Sequence, residues 1–197
     1  MTTPQVVLID YDPQWPARFA RERERIEAAL GASAMVEHVG STSVPGLAAK
    51  PIIDIMVGVR RLPTVLREFV GPLQSLGYEY TPTPGISGRW FFHQVPWGMH
   101  THQLHLVEHE GAMWEDYSVF RDHLCANAEI AQQYVDLKRR LAARPGIDRP
   151  TYSAAKGPFI NGVVAELLAA RATTEWRYNM TRRQCDPAPR GSGLVRG

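Results

Sequence analysis

His38-Val39-Gly40-Ser41-Thr42-Ser43-Val44-Pro45-Gly46-Leu47-Ala48-Ala49-Lys50-Pro51-Ile52-Ile53-Asp54-Ile55-Met56-Val57 joins two apolar runs through a loop of small residues. The first run, Ala34 to Val39, stops at Gly40-Ser41-Thr42-Ser43. The loop then passes Pro45, Gly46 and Pro51 before the second run, Ile52 to Val59, begins. Small residues after a strand let backbone N–H groups and hydroxyls approach a phosphate closely. The same tetrapeptide also suits a strand-to-helix turn capped by Ser or Thr. With a period of two, Ile52, Asp54 and Met56 share one face of the second run. A carboxylate among isoleucines and valines is costly to bury unless it is paired or coordinates a cation. Asp54 therefore reads either as a salt-bridged or edge-exposed structural residue or as the ligand of a Mg²⁺ that neutralises the phosphate. Together, loop and carboxylate make one candidate site.

Outward from this stretch, a chain of 197 residues with 44% hydrophobic content is long enough for one substantial core. A net charge of +2 is too small to indicate nucleic-acid binding. Cys125 and Cys185 are only two thiols, far apart with no Cys-x-x-Cys, which points to neither a disulfide scaffold nor a zinc knuckle. The start, Met1-Thr2-Thr3-Pro4-Gln5, lacks a basic and then apolar leader, and no apolar run reaches about 18 residues. The expectation is a cytoplasmic protein without a membrane partner. One domain over 1–177 is expected, followed by a disordered tail over 178–197 whose Arg, Pro and Gly residues lack apolar periodicity.

Val6 to Ile9 reads as a short strand. Pro16 to Leu30 and Pro63 to Leu76 read as amphipathic helices, closed by Gly31 and Gly77. Ala34–Val39 and Ile52–Val59 read as adjacent strands, with a further strand at Tyr78–Tyr80. Gly88–His93 and Thr101–Val107 read as antiparallel partners around Pro96-Trp97-Gly98. From Trp114 the pattern turns helical, over 115–126, 128–143 and 151–177, punctuated by Pro145-Gly146 and Pro150. Strands first and helices later give an α+β fold, a small mixed sheet covered by helices with a C-terminal helical layer.

Further motifs run along most of the chain: Tyr11-Asp12-Pro13-Gln14-Trp15-Pro16, Arg89 ahead of paired aromatics, Leu104-His105, Phe120-Arg121-Asp122, Leu137-Lys138-Arg139-Arg140-Leu141, and Tyr152-x-x-x-Lys156 before Phe159-Ile160. With the central loop, they resemble the GrpB family, a branch of the nucleotidyltransferase superfamily that also occurs fused to dephospho-CoA kinase in some bacteria. The resemblance implies a nucleotidyltransferase-like sheet and a ligand that is a nucleotide or another phosphorylated small molecule. It also implies Mg²⁺ on Asp54, and transfer of a nucleoside monophosphate to a small acceptor. Gly40, Ser41 and Thr42 would hold phosphates, Lys50, Arg89 and Lys156 would neutralise them, and His105 would act as general base, metal ligand or acceptor guide, unless it is a structural histidine hydrogen-bonded to backbone. The superfamily template has a second carboxylate where Met56 stands. A thioether does not bind Mg²⁺, and two-ion transfer needs carboxylates that bridge both ions. Met56 therefore keeps two other readings open: a non-catalytic nucleotide-binding or chaperone-like domain, and a divergent ligase or cyclase reusing the pocket.

Other polar residues are read more plainly. Strand alternation puts Gln103, His105 and Val107 on one face and His100 and His102 on the other. His38, His93, His109 and His123 read as structural, Arg139 and Arg140 as solvated helix charges, and Tyr152 as a core residue one helical turn from Lys156. The oligomeric state is not legible.

Overall fold

Apolar residues at every second position build the two central strands, and the helices that cover them decide which face stays open. The computed structural model describes residues 6–31, 34–83 and 86–172. Five strands, β1 (Met35–Val39), β2 (Ile53–Val59), β3 (Glu79–Thr81), β4 (Arg89–Gln94) and β5 (His102–Glu108), form one sheet in the order β1-β2-β5-β4-β3. β1 runs antiparallel to β2, β2 parallel to β5, and β4 antiparallel to both β5 and β3. The helices are α1 (Trp15–Leu30), α2 (Leu62–Ser75), α3 (Ala112–Ala126), α4 (Ala128–Ala142), α5 (Arg149–Ala155) and α6 (Gly157–Ala172). The α+β reading and the adjacency of the first two long strands hold, as does the antiparallel pairing of β4 with β5.

One sheet face carries Ile53, Ile55, Val57, Val59, Leu104, Leu106 and Phe92. It is sealed by Trp15, Ile26 and Leu30 of α1 and by Phe69 and Leu73 of α2. Each such side chain contributes about 1.5–3 kcal/mol on burial, so this layer supplies the main core. The opposite face carries Asp54, Met56 and Gly58 from β2, Gln103, His105 and Val107 from β5, and Arg89, Phe91 and His93 from β4. Over one end of it lies α3, whose Met113, Trp114 and Tyr117 pack on Val39, Met56 and Val107. Gly58 permits that approach, because a Cβ there would come within 2.5 Å of the Trp114 ring. The other end, with Asp54, Gln103 and His93, stays half-buried.

The loop after β1 is anchored by its own apolar residues. Val44, Leu47 and Ala48 pack on Leu124 of α3 and on Tyr134 and Val135 of α4. A separate cluster of Val6, Leu141, Ile147 and Tyr152 fastens the start of the described chain to α4 and α5.

Three sequence expectations change. The strand at Val6–Ile9 reduces to a single antiparallel bridge between Ile9 and Ala49. The helix expected over 151–177 is two helices, α5 and α6, broken at Lys156–Gly157. Pro158 is the reason: it lacks an N–H and disfavours helical backbone in the residue before it. The expected alternation does not extend to His100, because β5 begins only at His102. Residues 173–177 and the tail at 178–197 lie outside the described residues. No described helix is long and apolar enough to cross a membrane.

Candidate functional site

Gly40 ends β1 and opens a short 3-10 turn, Ser41–Ser43. Its backbone sits at φ 70° and ψ −169°, a region essentially restricted to glycine. A Cβ there would lie 2.5 Å from Asp54 Oδ2. Glycine thus lets the turn rest directly on the Asp54 carboxylate, so the fold brings the loop and the carboxylate together.

The hydroxyls of the turn divide their duties. Thr42 is 1% exposed, and its Oγ1 lies 3.0 Å from His38 Nε2. His38 stacks on Phe19 at 4.6 Å, and its pKa falls to about 4, chiefly through burial. The Thr42 side chain is therefore turned inward on a neutral histidine. Ser43 Oγ donates to the Gly40 carbonyl at 2.6 Å, which ties the turn to itself. Ser41 Oγ accepts a hydrogen bond from Lys138 Nζ at 3.1 Å and is also hydrogen-bonded to Tyr134.

Lys138 is a site residue that sequence reading passed over. It is 2% exposed, and its ammonium donates to both Ser41 Oγ and the Ala48 carbonyl, bridging the two ends of the loop. Its Nζ also lies 4.8 Å from the centre of the Tyr134 ring. Burial, then the positive charges of Lys156 and Arg139, bring its pKa down to about 7, against the pull of Asp54. The helical spacing of Tyr134 and Lys138, one turn apart on α4, was the available signal. It was hidden because Lys138 stands in a run with Arg139 and Arg140, which are exposed as expected.

The field of the same carboxylate reaches Lys50 and Lys156. Their ammonium groups lie on the Tyr152 ring, 5.6 and 4.9 Å from its centre, and Tyr152 is the core residue the sequence indicated. Burial and then Lys50 lower the Lys156 pKa to about 8, opposed by Asp54. Burial also lowers that of Lys50, again opposed by Asp54. Among the described residues none of the three lysines makes an ion pair within 4.0 Å. Three largely buried ammonium groups thus share the field of one carboxylate.

His105 stands beside Met56 across the parallel β2–β5 pair. Its Nδ1 receives Arg89 Nη1 at 3.4 Å and lies 3.3 Å from the Tyr117 hydroxyl. Arginine only donates, so the hydrogen-bond network assigns the neutral ring its proton on Nε2. That nitrogen faces Asp54 Oδ1 at 3.8 Å. Burial lowers the His105 pKa, Asp54 opposing, so the ring is neutral and directs an N–H at the carboxylate. Arg89 also donates to the Tyr117 hydroxyl at 3.2 Å. Its charge thus lies behind His105, away from the turn.

Among the described residues no group of three or more His, Cys, Asp or Glu side chains comes together to hold a metal. Hard oxygen donors are what Mg²⁺ requires, and Asp54 provides one carboxylate. Met56 is fully buried beneath α3 and provides none. This donor set fits one Mg²⁺ carried in by ligand phosphate oxygens and does not fit a two-ion centre.

The profile of the GrpB protein family matches residues 5–166. A UPF0157 protein of Streptomyces coelicolor is 40% identical over 168 residues, covering 85% of this chain and 87% of that protein. A dephospho-CoA kinase of Mycolicibacterium paratuberculosis is 28% identical over 199 residues, covering 87% of this chain but 48% of the kinase. Among solved structures, the GrpB protein of Enterococcus faecalis superposes with a TM-score of 0.75 at 33% identity, covering 84% of this chain and 99% of that one. A Cid1 poly(U) polymerase bound to MgATP superposes with a TM-score of 0.51 at 13% identity, over 75% of this chain and 50% of that one. The last likeness is one of fold alone and agrees with a nucleotidyltransferase-like sheet. The family match spans both the turn at Gly40 and the residues that surround it, and the chain belongs to the GrpB family.

Proposed function

We propose that this protein binds a polyphosphorylated small molecule, in the first instance a nucleoside triphosphate, on the turn at Gly40 and Ser41, with the buried Thr42 hydroxyl bracing that turn from within rather than touching phosphate. The observation that carries this reading is the charge imbalance around the turn that rests on Asp54. Lys138 holds Ser41 of that turn, and Lys50 and Lys156 share the Tyr152 ring. All three lie in the field of Asp54, and none makes an ion pair within 4.0 Å among the described residues. Buried ammonium groups with no ion-pair partner cost free energy even when hydrogen-bonded or set over a ring, and a polyanion offsets that cost. Lys50 and Lys156 hold the phosphates and Lys138 fixes the turn, while Asp54 would hold a Mg²⁺ arriving with the ligand. His105 orients Asp54 through Nε2–H, with Arg89 and Tyr117 behind it. The ion would shield the negative charge of the phosphates.

Transfer of a nucleoside monophosphate to a small acceptor remains the reaction of this reading, run with one ion and positioned cations. A second reading, a nucleotide-binding or chaperone-like domain without chemistry, is favoured by Met56, which removes the second carboxylate. Isothermal titration with tripolyphosphate and with ATP, CTP, GTP and UTP, with and without Mg²⁺, tests the binding. Ser41→Ala and Lys156→Ala should each weaken tripolyphosphate, Lys156→Ala by about 10- to 100-fold, because a hydrogen bond from a charged group is lost. The Lys156 effect should also shrink most with added salt. If both variants bind like the parent, the phosphates do not sit here. Pyrophosphate release with a bound nucleotide separates transfer from binding alone.

A further inference from the structure

The sheet face that carries Asp54 continues across β5 onto β4, and there its character changes from charged to aromatic. Gln103 and His93 are the register partners that follow Asp54 across the sheet, so His93 lies two strands away, about 10 Å. His93 is fixed by its Nδ1, 2.8 Å from Thr81 Oγ1 on β3. Phe91 stacks with it at 6.3 Å with planes 21° apart, and His100 at 5.2 Å with planes 27° apart. The inner end of this ladder is closed: Phe91 meets the His105 ring at 5.3 Å and carries the Arg89 guanidinium at 5.3 Å. His100 is its outer end. Its Nδ1 is screened from solvent and has no hydrogen-bond partner among the described residues.

The backbone brings the two ends of this surface together: Ile53 N donates to the Thr101 carbonyl at 2.9 Å, which sets the residue after His100 against the start of β2, three residues beyond Lys50. The charge of Lys50 accordingly acts on His100 as well as on Asp54. A ligand that places phosphates on Lys50 and Lys156 therefore has the His100 end of the ladder beside it. We propose that the outer face of the Phe91–His93–His100 ladder receives the nucleobase of a bound nucleotide, which stacks on the His100 ring. The inference rests on the phosphate site described above and adds the class of ligand that site prefers. Stacking is tolerant of base identity because every base has a π-face. The ladder therefore favours nucleotides over bare polyphosphate without choosing strongly among the four.

Titration of the full chain with ATP, UTP and tripolyphosphate tests this, using the parent, His100→Ala and His100→Phe. The parent should bind at least one of the two nucleotides about tenfold or more tighter than tripolyphosphate, since stacking of one base on a ring is worth that much. His100→Ala should lose that margin and leave tripolyphosphate affinity unchanged, and His100→Phe should regain part of it. Melting curves of all three proteins should coincide, because His100 lies outside the strands. Equal affinity of the parent for nucleotides and tripolyphosphate would overturn the proposal while leaving the phosphate site intact. Parallel loss of all ligands in His100→Ala would also overturn it, since the residue would then act on the phosphates. Failure of every ligand to bind the parent would instead remove the phosphate site itself, and this inference with it.

Discussion

Met56 and His105 stand side by side on β2 and β5, on the same face as Asp54. Read from the sequence, Met56→Asp should raise divalent affinity by adding a second oxygen ligand. In the structure Met56 has no exposed surface and packs with Val39, Val107, Met113, Trp114 and Tyr117. A carboxylate there would be an unpaired charge in an apolar cluster, one of the few single changes that costs more than about 3 kcal/mol. Urea unfolding should show a loss of that size for Met56→Asp, with no recovery in Mg²⁺. A variant as stable as the parent would mean that α3 does not seal this end of the sheet. His105 shows the same principle from the other side: its ring is held by two neighbours on Nδ1, and what remains of it points at Asp54.

α4 is the element that converts a flexible sequence of small residues into a shaped turn. Its first turn is capped by Asn127, which accepts from Ile130 N at 3.1 Å. Tyr134 and Lys138 then lie on the helix face that meets the loop. Lys138 reaches across 97 positions of chain to Ser41 and in the same stroke to the Ala48 carbonyl. Lys138→Met keeps the stem volume and removes the ammonium, so both loop anchors are lost together. The expected outcome is faster amide hydrogen exchange across 40–50 by about tenfold, with the sheet unchanged, since a hydrogen bond from a charged group contributes roughly 1.5–3 kcal/mol. Tripolyphosphate affinity should fall as well, because Ser41 is no longer held. Unchanged exchange in that loop would show that the apolar anchors Val44, Leu47 and Ala48 suffice.

For the whole molecule, the three lysines make stability and binding depend on pH in a defined direction. Folded Lys138 releases its proton near pH 7, whereas its ordinary value is 10.5; Lys156 does so near pH 8. Between those values the unfolded chain binds more protons, so the lysines make the ligand-free protein gain stability as pH rises from about 7 toward 10. Lys138→Met should flatten the lower part of that rise in melting temperature. A polyanion restores the protons, so tripolyphosphate should bind with proton uptake at pH 8, read from titrations in buffers of different ionisation enthalpy. Proton release, or none, would place the ligand away from these lysines. By itself, sequence determined the α+β class and the pairing of β1 with β2. It also determined the meeting of Gly40 with Asp54 and of Tyr152 with Lys156, because period-two and helical patterns, and loops this short, are local in the chain. The tertiary structure alone decided the rest. Thr42 turned inward on His38, Lys138 became the buried clamp among exposed arginines, and His100 left the strand alternation to stack on His93. Each of these outcomes depends on which distant element covers a side chain, and burial by a partner far along the chain leaves no periodic trace in the sequence.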